Sequence, residues 1–218
     1  MKKIVVMLAA GMFFFSAQAQ TVTKDAKAKA ILADVSKKYR SYNVVKTDFT
    51  FTLDNTQAKI KETQKGTLLV KASANKYKVT MTSQDLFSDG KSQWTYLKED
   101  KEVQITTVDN SSSAINPAKI FTVYEKGYKY LYTGDTKVGA KVYQMIDLTP
   151  IDIQQSVFKV RLTIDKVAKQ ITNVLIFDKS GNKYTYQINT FTPNVQVSDA
   201  VFAFDAKKYP GVEVVDLR

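Results

Sequence analysis

Along Val45 to Leu53 the residues Val45, Thr47, Phe49, Phe51 and Leu53 share one parity, and Lys46, Asp48, Thr50 and Thr52 share the other. A period of two with one apolar side predicts a β-strand buried on one face. Comparable runs follow at short intervals: Gly66 to Lys71, Lys76 to Thr82, Ser92 to Leu97 and Val103 to Val108. After a polar loop at Asn110-Ser111-Ser112-Ser113, strands are expected again at Lys126 to Tyr132, Lys141 to Leu148, Val157 to Ile164, Ile171 to Asp178 and Lys183 to Phe191. Val201 to Phe204 and Val212 to Leu217 are expected to close the sheet. Turn signals such as Asp89-Gly90-Lys91, Glu99-Asp100-Lys101 and Asp178 to Asn182 separate the runs. Connections this short predict antiparallel hairpins, because parallel neighbours need long crossovers.

Two stretches break the period of two. Thr23 to Tyr42 places Ala28, Ile31, Leu32, Val35 and Tyr39 or Tyr42 on one face, against Lys27, Lys29, Asp34, Lys37, Lys38 and Arg40 on the other. That spacing predicts one long amphipathic helix, with Thr23 as its cap and Asp25 in its first turn. Asn116-Pro117 opens a shorter helical segment through Ile120, Phe121 and Tyr124, with proline at its first position. The pattern as a whole predicts a mainly β single domain over residues 20–218, roughly eleven antiparallel strands forming a barrel or half-barrel. A barrel of that size is wider than its own side chains can fill, and the helices are expected to plug or cover the opening.

The first nineteen residues stand apart. Lys2 and Lys3 precede an apolar run from Ile4 to Phe15, and Ser16-Ala17-Gln18-Ala19 supplies small residues at the −3 and −1 positions. This is the pattern of a secretory signal peptide over residues 1–19, cleaved before Gln20. The apolar run is shorter than the ~20 residues that span a bilayer. No Cys stands at the cleavage site, so export as a soluble protein without an N-terminal lipid is the expectation.

Composition narrows the chemistry. The 218 residues include no Cys and no His. This excludes disulfides, a Ser-His-Asp triad, and His- or Cys-ligated zinc, copper or haem. The carboxylates Asp85, Asp89, Glu99, Glu102, Asp147 and Asp152 are the remaining catalytic candidates, and no spacing selects a pair of them. No phosphate-binding glycine loop is present. The reading is therefore not an enzyme, with no catalytic residues, no metal and no cofactor. The net charge of +11 comes from scattered lysines. It suits strand-edge solubility, or an anionic membrane or protein surface, better than nucleic acid.

What the sequence supplies in quantity is apolar and aromatic surface: 12 Tyr, 12 Phe and 44% hydrophobic residues. The candidate lipid-binding residues are Phe49, Phe51 and Leu53; Leu68 and Val70; Tyr77, Val79 and Met81; Trp94 and Tyr96; and Phe158, Val160 and Leu162. Any of them can equally be ordinary core, since either parity of a strand can face inward. Tyr128, Tyr130 and Tyr132 alternate along one strand and are expected to cover a half-exposed sheet.

The serial order of these elements resembles the periplasmic outer-membrane lipoprotein carrier family (LolA-like). The resemblance rests on Asp48-Phe49-Thr50-Phe51, on Gly66 to Lys71, and on the hairpin Ser88-Asp89-Gly90-Lys91-Ser92-Gln93-Trp94-Thr95-Tyr96. It continues through Asn116-Pro117 to Phe121, Asp147-Leu148-Thr149-Pro150, Asp178 to Asn182, and Pro210-Gly211-Val212-Glu213-Val214. It implies an unclosed antiparallel barrel with a helical lid, here Ile31, Leu32 and Val35 with Ile120 and Phe121, over a cavity for lipoprotein acyl chains. It also implies a monomer without cofactor, taking acylated lipoproteins from an inner-membrane transporter to an outer-membrane acceptor. A lipid- or lipoprotein-sensing envelope regulator on the same fold is the alternative. In that family an Arg commonly follows the glycine by about six residues and holds the lid closed. Here the position is Ala72, preceded by Lys71.

Overall fold

Among the described residues, alternating side chains give twelve strands that hydrogen-bond into a single sheet. They are β1 (Val45–Asn55), β2 (Ile60–Lys71), β3 (Lys76–Met81), β4 (Gln84–Ser88), β5 (Ser92–Leu97) and β6 (Glu102–Thr107), then β7 (Tyr128–Val138), β8 (Lys141–Pro150), β9 (Val157–Asp165), β10 (Gln170–Asp178), β11 (Lys183–Pro193) and β12 (Glu213–Asp216). This computed structural model describes residues 16–109 and 116–218. The apolar run Ile4 to Phe15 and the loop at 110–115 lie outside the described residues.

The strand order is β12-β6-β5-β4-β3-β2-β1-β11-β10-β9-β8-β7. Two meanders, β1 to β6 and β7 to β11, are joined where β1 pairs with β11, Val45 opposite Pro193 and Phe51 opposite Tyr186. β7 and β12 remain as edges, so the sheet curls into an open barrel and does not close. Three details depart from the expected pattern. β4 is an additional strand, whose adjacent apolar residues Leu86 and Phe87 face opposite sides and so hide the period of two. Val201 to Phe204 is not a strand, because Ser198 accepts a hydrogen bond from the Ala200 N–H and caps a 3-10 turn over Asp199–Phe202. The pairing of β12 with β6 is parallel, since the C-terminal segment crosses back before joining the edge.

The helix α1 spans Ser16–Arg40. It starts ahead of Thr23 because Ala17, Gln18, Ala19 and Gln20 are themselves helix formers, so Thr23 and Asp25 lie inside it. Lys37, Lys38 and Arg40 occupy its last turn, where cations complement the helix dipole. Ala28, Leu32, Val35 and Tyr39 are buried, as their spacing predicts. They pack with Ile146, Leu148, Val160, Leu162, Ile164 and Ile171, all inward residues of β8, β9 and β10. A smaller cluster of Val44, Leu69 and Phe202 anchors the C-terminal segment.

Candidate functional site

The helix occupies only the β7–β10 part of the half-barrel. Beside it a cavity of about 420 Å³ lies against the inner faces of β1 to β4, with β10 and β11 as its far wall. Register determines who faces it. Phe49 stands opposite Gly66, and Thr47 opposite Leu68. Leu68 in turn is opposite Val79, and Gly66 opposite Met81. Phe49, Phe51, Leu68, Val79 and Met81 therefore line the cavity together. Gly66 is required by closeness rather than by φ: a Cβ there would collide with the Phe49 ring.

The roof is the mid-chain segment. Two 3-10 turns, Pro117–Lys119 and Val123–Glu125, carry Pro117, Ile120 and Phe121 over the opening. Asn116 caps the first turn by accepting from the Ala118 N–H at 2.9 Å, and its side-chain amide donates to Asn75 Oδ1 at 3.0 Å. α1 holds the segment from the other side. The Tyr39 and Phe121 rings stack at 4.4 Å and 4°, with Phe191 edge-on to both. Ser36 Oγ donates to Tyr124 Oη at 3.0 Å, and Arg40 pairs with Glu125. Burial pushes the Tyr124 hydroxyl up to about 12, so it stays neutral.

Among the described residues no charged side chain lines the cavity. Its polar atoms are few. The Thr47 hydroxyl donates to the Thr190 carbonyl at 2.8 Å, whereas Gln64 Oε1 has no hydrogen-bond partner among the described residues. Burial raises the pKa of Tyr186 in the far wall, keeping that ring neutral as well. Thr47, Phe49 and Leu68 are buried, whereas Phe51, Gln64, Met81 and Ser83 are half-buried or exposed. The cavity is thus closed at the Thr47 end and opens toward the end where the β1–β2 and β3–β4 turns lie. Among the described residues no cluster of three carboxylates could hold a metal ion.

Several sequence candidates lie elsewhere. Trp94 and Tyr96 are opposite Phe87 and Asp85 across β4, a parity that places them on the outer face. There Tyr96 packs on Phe204 and Tyr209 of the C-terminal segment. Phe158 sits at a register shift between β9 and β10 that leaves it 48% exposed against Phe177. Val160 and Leu162 do face inward, but α1 buries them in closed core. Val70 and Tyr77 are core beyond the closed end, and half-buried Leu53 lies past the open end. Of the lid residues, Ile120 and Phe121 roof the cavity. Leu32 lies beside Tyr124 and beside Tyr130 of β7, Val35 and partly buried Ile31 lie beside Gln144 of β8 and Ile164 of β9, and the helix plugs one side of the half-barrel rather than spanning the opening. Ala72 lies at the junction of helix and roof, beside Tyr39, Val70 and Phe121. Lys71 points away from it, to Asp199 at 2.9 Å.

Leu86, Ile171, Val174, Tyr186 and Ile188 also line the cavity. Each stands in a strand, and for the longer strands the available signal is the period; which parity turns inward is not in it. Tyr128, Tyr130 and Tyr132 lie half-buried, and Lys27 of the helix sits 3.9 Å over the Tyr132 ring.

An open barrel with an uncharged, roofed cavity has the architecture of a carrier or binding fold. A family model described as "Outer membrane lipoprotein carrier protein LolA" matches residues 18–205, and the chain belongs to that family. No curated protein matches the sequence. Among solved structures, an uncharacterized conserved protein from Thermus thermophilus is 14% identical, with a TM-score of 0.56 over 87% of this chain and 99% of that one. A DUF1329 family protein from Desulfovibrio piger is 11% identical, with a TM-score of 0.50 over 84% and 98%. A LolA superfamily protein from Nitrosomonas europaea is 13% identical, with a TM-score of 0.46 over 82% and 98%.

Proposed function

We propose that this protein is an exported carrier of acylated lipoproteins, sheltering an acyl chain in the cavity between β1–β4 and β10–β11. The observation that carries the reading is the cavity itself: about 420 Å³, lined by Phe49, Phe51, Leu68, Val79 and Met81, with no charge in its described wall. Its volume falls in the range of roughly 300–1,000 Å³ typical of enclosed small-molecule sites. Met81 adds a flexible, polarizable wall suited to chains of varying shape.

Binding follows from the hydrophobic effect. Each buried CH₂ is worth about 0.8 kcal/mol, so a chain of about sixteen carbons supplies a gross driving force on the order of 10 kcal/mol. Delivery requires that much of this be offset at handover, and the roof provides the means. Its contacts with α1 include one ring stack, one hydroxyl pair and one exposed ion pair. Such a joint supports two states, closed around cargo and open to the acceptor. Residues 1–19 direct the chain to the periplasm, where an inner-membrane transporter supplies cargo and an outer-membrane acceptor receives it.

An environment-sensitive apolar probe should bind the purified protein saturably and be displaced by a diacylated lipopeptide. Native mass spectrometry of protein taken from the periplasm should show diacyl or triacyl species bound to it. Displacement by a soluble sugar or an unacylated peptide, with no effect of lipid, would sink the reading.

A further inference from the structure

Three turns gather at the open end of the cavity: β1–β2, β8–β9 and β10–β11. They are laced together. Asn55 Nδ2 donates to Ser180 O at 3.2 Å and to Asn182 Oδ1 at 2.7 Å, joining the first turn to the third. The Lys179 N–H donates to Ser156 O at 2.9 Å, joining the third to the second. The Ile151 N–H donates to Gly127 O at 2.9 Å, tying the second to the entry of β7.

This laced end carries apolar side chains that remain exposed. Ile153 is 77% exposed, Ile151 59%, Phe158 48% and Ile60 40%. Single exposed apolar residues are ordinary on a soluble protein. Ile151, Ile153 and Phe158 within one short stretch are a patch. Around it stand the exposed lysines Lys59, Lys61, Lys126, Lys179 and Lys183, against the exposed carboxylates Asp152 and Glu62. Asp178, at the same end, is buried and engaged with Asn182 and Tyr184.

Protruding isoleucines at an end carrying several exposed lysines match a bilayer interface. The apolar tips enter the acyl boundary while the ammonium groups meet lipid phosphates at headgroup level. We infer that the β1–β2, β8–β9 and β10–β11 end docks on an anionic lipid bilayer, so that the cavity mouth faces the membrane during loading or release. This rests on the carrier reading for its purpose, but the surface does not overlap the cavity wall. Ile151 and Ile153 line no part of it.

The test is co-sedimentation of the purified protein with vesicles of phosphatidylethanolamine and phosphatidylglycerol, compared with phosphatidylcholine alone. The wild type should partition to the anionic vesicles and be released by salt, because screening removes the lysine contribution. The double variant Ile151→Ser/Ile153→Ser, purified in the same form, should bind them at least about tenfold more weakly. Its probe affinity should be unchanged, which separates docking from cargo binding and reports that it is folded. Equal vesicle binding by wild type and variant would overturn the inference. So would a wild type that ignores vesicles altogether, leaving this end as a surface for a protein partner. Loss of probe binding in the wild type would instead sink the carrier reading and leave the docking result to stand by itself.

Discussion

Phe51 and Trp94 are both half-buried aromatic residues in the same sheet, and they face opposite sides of it. Phe51 reaches the cavity and packs 5.1 Å from the Tyr186 ring. Trp94 stands on the outer face opposite Phe87, beside the aromatic cluster that the C-terminal segment covers. The same substitution should therefore have different consequences at the two positions. Phe51→Asp puts an unpaired carboxylate into an apolar wall, where an uncompensated charge is costly. Probe affinity should fall at least about tenfold. Trp94→Asp should lower stability by about 1–3 kcal/mol, chiefly through lost packing, and leave probe affinity near wild type. Denaturant titration and probe binding on the same preparations separate the two effects. A Trp94→Asp protein that folds but no longer binds would contradict the pairing of Trp94 with Phe87 across β4 and β5.

At the scale of elements, the roof and the helix work as one joint. Phe121 is its centre, stacked on Tyr39 and edge-on to Phe191, with Ala72 and Val70 beneath. The flanking contacts are weaker by nature. Arg40 of the ion pair with Glu125 is 66% exposed, and exposed pairs contribute little, at most ~1 kcal/mol. Phe121→Ala should therefore loosen the joint more than Glu125→Gln does. In Phe121→Ala, hydrogen exchange should rise at least about tenfold through the 116–125 segment and the last turns of α1, while β8–β10 amides keep their protection. Faster probe exchange should accompany it. Global loss of protection, strands included, would mean that the roof is part of the cooperative core and not a separate lid.

For the molecule as a whole, the groups with displaced pKa values all move away from neutrality. Hydrogen bonds from Thr190 and Thr67 lower Asp48, the Arg161 guanidinium lowers Asp147, and Lys76 with Lys71 lowers Asp199. Asp216, bonded by Arg218, falls to about 2, and burial lifts Tyr77 to about 12. A carboxylate lowered on folding stabilises above its unfolded pKa of about 3.9 and loses that contribution as pH falls. A tyrosine raised on folding stabilises below about 10 only in its neutral form, and the folded protein resists the ionisation that the unfolded chain gains, so stability falls as pH rises past that value. With no histidine in the chain, the urea midpoint should be flat between about pH 5 and pH 9 and decline outside that window. A step between about pH 6 and pH 8 would show that some other ionisation controls stability.

The same scale divides what is legible along the chain from what is not. The period of two in Val45 to Leu53, Lys141 to Leu148 and Lys183 to Phe191, and the helical spacing of Ala28, Leu32, Val35 and Tyr39, are enough for an antiparallel sheet with one packed helix. The Asn116-Pro117 pair likewise announces the turn that starts the roof, because an asparagine cap and a first-position proline are local chemistry. Local period cannot say which face of a strand turns inward. Trp94 and Tyr96 alternate as well as Val79 and Met81 do, and only their pairing partners put them outside. Nor can it say where a helix lands. Leu32 and Val35 are expected over the opening, yet they fill the β7–β9 side, and the cavity lies where the helix leaves the β1–β4 side uncovered. Sequence alone determined most of the elements and the faces available for burial. The tertiary structure decided which of those faces met each other and which enclosed a space, because inward parity and helix placement depend on contacts between residues far apart in the chain.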